Sequence, residues 1–231
     1  MSIDELSPVP VYIKTILLWL IFTCSVGYLQ MTYVFEISHL KPGYFMAPGI
    51  VGLIFGVLTG RIILLSRKLK WCSIHDPLTQ AYNHGHYQQI LREWSQGHTV
   101  FSLILIDIDH FKGINDKYGH KFGDDVLVHI CELVRQSKRS YDVFARHGGE
   151  EFVLLTPRTD LAMAADIANR LCKIINSSTM PADVQVSCSF GVAQSRPDDT
   201  ADTLFNRADK ALYDSKRNGR NRVSLESAIA S

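Results

Sequence analysis

Residues 100–109 read VFSLILIDID and carry the strongest structural signal in the chain. The run from Val100 to Ile108 is almost entirely apolar and rich in β-formers, which predicts a strand buried on both faces. The run leads into Asp107 and Asp109, and side chains two residues apart on a strand point to the same face. The sequence therefore predicts a central strand with a functional carboxyl end.

Strand and helix patterns alternate after this run. Strand-like segments at 142–145 and 151–155 flank Gly148-Gly149, which predicts a hairpin. Apolar periodicity predicts helices at 124–138, 161–175 and 203–218, and strands at 184–192 and 222–225. We therefore predict an α/β or α+β domain in which helices flank a central mixed sheet.

The first 70 residues have a different composition. Between 11 and 35 the only charged residue is Lys14, and between 44 and 65 it is Arg61. Each run is long enough to cross a hydrocarbon core, which takes about 20 helical residues. Buried core helices and, for the first run, a cleaved signal peptide are the alternatives. Core helices are disfavoured because neither run leaves a polar face to meet water. A signal peptide is disfavoured because the first run is too long and a second run follows it.

The sequence predicts four segments. They are a cytoplasmic tail at 1–10, a two-span transmembrane hairpin at 11–65 that turns at 36–43, a helical stalk at 66–75 and a domain at 76–231. The basic cluster at 67–70 places both termini in the cytoplasm by the positive-inside rule. A stripe of a/d positions that runs from the end of the second span into the stalk permits a dimer, although a helix leaning on the membrane or the domain would show it too. Its residues are Ile62, Leu65, Leu69 and Cys72.

Charge and cysteine content exclude several classes of protein. The 231 residues carry 24 Lys and Arg against 23 Asp and Glu, a formal charge of +1. A protein that coats nucleic acid needs a large cationic excess, so no nucleic-acid partner is predicted. The five cysteines are far apart and form no CxxC pair, which disfavours a zinc site and a disulfide scaffold.

Acidic residues cluster around the predicted hairpin. Glu150 and Glu151 follow the Gly-Gly turn, and neighbouring strand ends could bring them to Asp107 and Asp109. Clustered carboxylates repel each other unless a hard divalent cation neutralises them. Solvated loop acids are the alternative for either pair alone, but together the two pairs favour a magnesium site.

Basic residues near the C-terminus suit a phosphate. Lys216 and Arg220 are four residues apart, so we expect them on one face of the last helix, where they could bind phosphate oxygens. A solvated basic helix end is the alternative. Neither a P-loop nor a Rossmann glycine pattern is present. The residues alone therefore favour a metal-assisted enzyme that acts on phosphates.

Four motifs resemble, in order, those of the GGDEF family of diguanylate cyclases. The sequence RHGGEEF at 146–152 resembles the family signature in its GGEEF form. DPLT at 76–79 resembles the DxLT motif, and 107–124 resembles the DIDxFKxxND…GHxxGD block. Residues 208–221 resemble ADxALYxAKxxGRN, with Ser215 in place of Ala. QAYNHGH at 80–86 replaces a typical GLxNRR, and the missing arginines are expected to alter phosphate contacts or domain pairing without touching the metal site.

The resemblance implies a palm-like fold of nucleotidyl cyclases and a reaction that turns two GTP into cyclic di-GMP and two pyrophosphates. It implies two-metal catalysis with Mg²⁺, or with Mn²⁺ as the alternative. For Glu151 it implies either metal ligation or 3′-hydroxyl deprotonation. The implied metal ligands are Asp107, the Ile108 carbonyl, Glu150 and Glu151. The implied substrate-binding residues are Asn115 and Asp124 for guanine, Gly148 and Gly149 for close approach, and Lys216 and Arg220 for the triphosphate. The implied product-inhibition site consists of Arg139 and Asp142 of an RxxD motif, with Arg170.

The resemblance also implies partners and a location. One domain holds one GTP, so the family works as a homodimer. With the membrane hairpin, the expected location is the bacterial inner membrane, multi-pass, with lipid around the spans and the catalytic domain in the cytoplasm. An inactive GGDEF-like receptor for cyclic di-GMP is the alternative, and a synthase of a mixed guanine–adenine dinucleotide is another. The intact acids and glycines disfavour the first, and Asp124 disfavours the second.

Overall fold

The computed structural model describes residues 8–29, 46–97, 100–180 and 184–227. Contacts divide the chain into two units, Met1–Ser73 and Ile74–Ser231. The turn predicted at 36–43 lies outside the described residues.

Two long apolar helices are described in the first unit. Helix α1 runs Pro8–Leu29, and α2 runs Met46–Ile74, so α2 continues through the predicted stalk. Each contains a stretch long and apolar enough to cross a membrane. The predicted stripe on α2 is exposed in the single chain, with Ile62 at 61%, Leu65 at 57% and Leu69 at 71%.

Helix α1 packs closely on a row of glycines in α2. A β-carbon at Gly56 would lie 2.5 Å from the Cα of Ile16, and one at Gly60 would lie 2.6 Å from the ring of Tyr12. Gly52, on the same helix face, meets α1 at similarly short distances. Small residues that let two backbones approach are typical of helix pairs in lipid, where burial of apolar surface supplies no driving force.

The second unit is built on a five-stranded mixed sheet with the strand order β2-β3-β1-β4-β5. The central strand β1 pairs antiparallel with β3 and β4, β2 pairs antiparallel with β3, and β4 pairs parallel with β5. Every residue of β1 is buried, which confirms the predicted central strand. The strands are β1 Phe101–Ile108, β2 Val143–Gly148, β3 Glu151–Pro157, β4 Cys188–Gln194 and β5 Val223–Leu225.

Helices flank both faces of this sheet in the described part of the unit. Ile104 and Ile106 of β1 join the core that contains α5 and α6 side chains, whereas Leu103 and Leu105 join the core that contains α3 and α7 side chains. This alternation confirms the predicted mixed sheet between helices. The helices are α3 His84–Ser95, α4 Phe111–Tyr118, α5 His120–Ser137, α6 Leu161–Ser177 and α7 Ala201–Arg217.

Some predicted bounds are wrong. Helix α5 begins at His120 rather than 124, and β4 begins at Cys188 rather than 184. The apolar patterns did not predict α3 or α4, because each buries only one or two side chains.

The prediction that Lys216 and Arg220 share a helix face is also wrong. Helix α7 ends at Arg217, and Gly219 follows with a φ of +106°. The Arg220 amide then donates to the Ser215 carbonyl at 3.0 Å, which is the hydrogen bond of a Schellman C-cap. Arg220 therefore lies in the turn beyond the helix.

Candidate active site

Carboxylates meet where β1 ends and β3 begins. Asp107 pairs across the strands with Glu151, and the Ile108 amide donates to the Glu150 carbonyl at 3.4 Å. Asp107 is only 7% exposed. Burial raises the pKa of Asp107, the charge of Lys216 opposes this rise, and Glu150 and Glu151 add to it. The structure thus brings all four predicted metal ligands to one end of the sheet.

Lys216 supplies the charge that balances Asp107. Its Nζ lies 2.7 Å from Asp107 Oδ2, from the last turn of α7. Among the described residues, no three His, Cys, Asp or Glu side chains converge on one point. Carboxylates beside a strand-end carbonyl are nevertheless the oxygen donors that a hard divalent cation prefers. The donor set therefore fits a cation, around which the acids would draw together.

Asp109 does not belong to this cluster, contrary to the prediction. Its carboxylate accepts hydrogen bonds from the Ser187 and Ser189 hydroxyls, each at 2.6 Å, and from the Asn221 amide at 3.0 Å. It is 5% exposed, so these bonds satisfy a buried charge. Asp109 instead fastens the end of β1 to β4 and to the turn that carries Arg220.

Arg146 holds the turn between β2 and β3. Its Nε and Nη2 donate to the Gly149 carbonyl at 2.9 and 2.7 Å, and its Nη1 lies 3.2 Å from Asp76 Oδ1. Gly149 has a φ of +52°, which residues with a β-carbon rarely adopt. Burial disfavours the charged form of Asp76, but hydrogen bonds from Thr79 and the charge of Arg146 lower its pKa. The two motifs give no sequence signal of this link, because Asp76 and Arg146 are 70 residues apart in the chain.

Helices α4 and α5 present Asn115 and Asp124. Gly123 lies directly against Asn115, because a β-carbon there would be 1.9 Å from Asn115 Oδ1. This oxygen is buried and has no hydrogen-bond partner among the described residues. Asp124 is exposed. A buried acceptor near an exposed carboxylate suits a ligand that carries adjacent N–H donors.

Arg139 and Asp142 form the turn between α5 and β2, at the opposite end of β2 from Gly148. Asp142 Oδ2 accepts the Arg139 amide at 2.8 Å, and Oδ1 is buried without a partner in the described part of the chain. Burial raises the pKa of Asp142, and the charges of Arg139 and Arg170 oppose the rise. The structure thus brings the three residues predicted for a product site within electrostatic reach of one another.

Comparison with known proteins identifies this arrangement. The family model described as "Diguanylate cyclase, GGDEF domain" matches residues 73–222. Diguanylate cyclase DgcM of Escherichia coli is 37% identical over 163 residues, which cover 69% of this chain and 40% of the relative. Diguanylate cyclase A of Treponema denticola is 42% identical over 130 residues, which cover 54% and 35%. The chain spans roughly a quarter to a half of the length of these and the other curated relatives.

Solved structures give the same result for the fold. The GGDEF domain of DgcB from Caulobacter crescentus, in complex with c-di-GMP, has a TM-score of 0.64 and 32% identity, over 67% of this chain and 96% of that one. The active GGEEF domain of a diguanylate cyclase from Vibrio cholerae has a TM-score of 0.60 and 29% identity, over 63% and 97%. The sheet and its helices therefore form the palm-like fold that the sequence predicted.

We expect the two aspartates at the end of β1 to differ in their effect on stability. Asp109→Ala leaves two hydroxyls and an amide without their acceptor, so it should lower the free energy of unfolding by about 2 kcal/mol. Asp107→Ala removes only the partner of the partly exposed Lys216 and should change it by less than about 1 kcal/mol. Urea denaturation of both variants with a chelator present measures the difference, and equal losses would contradict the role given to Asp109.

Proposed function

The chain belongs to the GGDEF domain family of diguanylate cyclases, and from this premise we propose that it condenses two GTP into cyclic di-GMP and two pyrophosphates. The observation that carries the proposal is the meeting of buried Asp107 with Glu150 and Glu151 at the end of β1. The two neighbouring carboxylates make the negative charge on Asp107 more costly, and a nearby positive charge would offset that cost. Lys216 pairs with Asp107 and offsets only part of it.

A divalent cation fits this place. Asp107, the Ile108 carbonyl, Glu150 and Glu151 would hold Mg²⁺ or, in its stead, Mn²⁺. Such a cation polarises the reacting phosphate and offsets the charge of the departing pyrophosphate.

The remaining polar groups would bind and orient GTP. Asn115 and Asp124 offer acceptors for the N–H edge of guanine, and the unpaired Asn115 oxygen supports this assignment. Gly148 and Gly149 border open space, since a β-carbon at either would meet nothing within 4 Å. The turn thus leaves room for phosphates, which a cation such as Lys216 would contact. Arg220, in the turn after α7, would provide a second cation.

The chemistry consists of two equivalent displacements. In each, the 3′-oxygen of one GTP forms a bond to the α-phosphorus of the other, the bond to pyrophosphate breaks, and the hydroxyl proton leaves. Glu151 would accept that proton or serve as a further metal ligand. Each domain holds one GTP, so two copies must face each other across a two-fold axis. The exposed stalk stripe would keep two copies together and raise their effective concentration.

The two apolar helices would anchor this enzyme in the inner membrane. None of the apolar window in α1 is buried, and only 17% of that in α2 is, so neither resembles the core helix of a soluble protein. Lipid would cover these side chains. Exposed Arg67, Lys68 and Lys70 follow the second span and favour a cytoplasmic catalytic domain, where GTP is found.

The cluster of Arg139, Asp142 and Arg170 would bind cyclic di-GMP as an inhibitor. Arginine can pair with guanine O6 and N7, and the unpaired Asp142 oxygen can accept a guanine N–H. This turn lies at the opposite end of β2 from Gly148, so the inhibitor and the substrate would bind at separate sites. A receptor without catalysis would need only this cluster, whereas the intact acids at Asp107 and Glu150 favour the cyclase.

Glu150→Gln should abolish synthesis and leave the fold intact. The change removes one of few anionic ligands, which is expected to cost several kcal/mol of transition-state stabilisation. Incubating the purified protein with GTP and Mg²⁺ and separating the products by chromatography measures the rate. Glu132→Gln, an exposed acid on α5, serves as the control. Turnover of the Glu150 variant within about tenfold of the unchanged protein would refute the assignment.

A reporter fused after Ser231 should behave as cytoplasmic, and one inserted at Ser38 as external. The reason is the basic flank at 67–70 and the even number of spans. Paired reporters that are active on opposite sides of the membrane measure the topology, and the reverse pattern would leave access to GTP unexplained.

Arg139→Ala should relieve product inhibition and leave the initial rate nearly unchanged. Losing a charge-assisted hydrogen bond to guanine should weaken product binding by about 1.5–3 kcal/mol, or ten- to a hundredfold. Progress curves should flatten early for the unchanged protein and for the control Lys173→Ala, an exposed cation on α6. If cyclic di-GMP inhibits the unchanged protein and both variants equally, residues 139–142 form an ordinary turn that has no part in inhibition.

A further inference from the structure

His147, the residue before the Gly-Gly turn, is held by helix α3. The Tyr87 hydroxyl hydrogen-bonds to His147 Nδ1, and His84 Nδ1 lies 3.1 Å from the His147 carbonyl oxygen. The His84 and His147 rings also meet edge to face, with centroids 4.8 Å apart. One helix thus contacts both the ring and the backbone of His147.

Helix α7 contacts the same ring from another side. Phe205 stacks on His147 with centroids 5.1 Å apart and an interplanar angle of 23°. The second ring nitrogen, Nε2, lies 4.0 Å from Glu151 Oε2. His147 therefore connects α3 and α7 with a carboxylate of the catalytic cluster.

The cluster around His147 is open on one side. A surface pocket of about 350 Å³ borders Tyr87, His147 and Phe205. Close packing therefore surrounds only part of the ring. The hydrogen bond with Tyr87 and the stacking on Phe205 hold the His147 ring on its other sides.

We propose that His147 is a positioning residue: held by Tyr87, His84 and Phe205, it sets the hairpin so that Glu150 and Glu151 reach their catalytic places. The inference rests on the proposed cyclase function. It also gives the unusual segment 80–86 a route to the turn, because His84 of that segment contacts His147, as does Tyr87 one residue beyond it. The turn is thus fixed twice, by Arg146 through charge and by His147 through ring contacts.

The test compares four variants of the full chain in lipid nanodiscs. Tyr87→Phe removes one hydroxyl, His147→Phe keeps a ring without nitrogens, and the double variant combines them. Tyr213→Phe is the matched control, because Tyr213 is 58% exposed on α7 and lies outside the cluster. Each protein is assayed for kcat, for KM of GTP, for the Mg²⁺ concentration of half-maximal rate, for thermal midpoint and, by paramagnetic resonance, for affinity of Mn²⁺ alone.

Tyr87→Phe should lower kcat about fivefold, the equivalent of one hydrogen bond near 1 kcal/mol. Its KM for GTP should stay within about twofold, while the required Mg²⁺ rises and Mn²⁺ binds about threefold more weakly. His147→Phe should lose more, about twentyfold. The double variant should lose no more than His147→Phe, because both changes interrupt the same contact. Tyr213→Phe should match the unchanged protein in every measurement.

The proposal would be overturned if the two single losses in kcat add up in the double variant. It would also be overturned if kcat falls while the dependence on Mg²⁺ and the affinity for Mn²⁺ stay unchanged. A fall in thermal midpoint that alone accounts for lost activity would mean that His147 only fills space. If the unchanged protein makes no cyclic di-GMP, the proposed function fails. The Mn²⁺ affinities of the variants then still decide whether His147 positions the acids.

Discussion

Repulsion between carboxylates at the end of β1 is the constraint around which the catalytic unit is organised. Cross-strand pairing puts Asp107 opposite Glu151, with Glu150 beside them, and burial makes the negative charge on Asp107 more costly. Like charges directly opposite destabilise a strand pair. The structure tolerates this because Lys216 reaches Asp107 from α7, while hydrogen bonds elsewhere keep the hairpin from opening. The carboxylates whose repulsion lowers stability thus lie at the end of β1, where the proposed chemistry needs metal ligands.

Pairing with β1 holds the backbone of Glu151 opposite Asp107, and contacts from outside the sheet also hold the turn that carries Glu150. Arg146 ties the turn to Asp76, and His147 ties it to α3 and α7. Asp76 and α3 both belong to the first part of the second unit. A displacement of that part would therefore act on the turn beside the acids. The segment before β1 thus acts on geometry although it supplies no ligand.

Local sequence patterns predicted the strands and turns that they determine. They gave no signal for contacts between side chains that are far apart in the chain. The apolar run of β1 and the Gly-Gly turn are local, and both were predicted correctly. Alternation placed Asp107 and Asp109 on one face but could not show that Ser187, Ser189 and Asn221 occupy the second carboxylate. The link between Asp76 and Arg146 joins residues 70 apart in the chain, for which no periodicity gives a signal. Helix α4 was missed because it buries only Phe111.

In the proposed dimer, the packing of α1 on α2 limits how two copies can meet. The glycine row of α2, at Gly52, Gly56 and Gly60, is already filled by side chains and backbone of α1. Glycine rows are the usual place for close helix pairing in lipid. In this chain α1 already occupies that surface of α2, so a second copy cannot pack there. Among the described residues of α2, Ile62, Leu65 and Leu69 offer an exposed apolar surface at heptad spacing. Pairing through this stripe would leave each hairpin intact and bring two half-sites together, since one sheet end supplies only one set of acids.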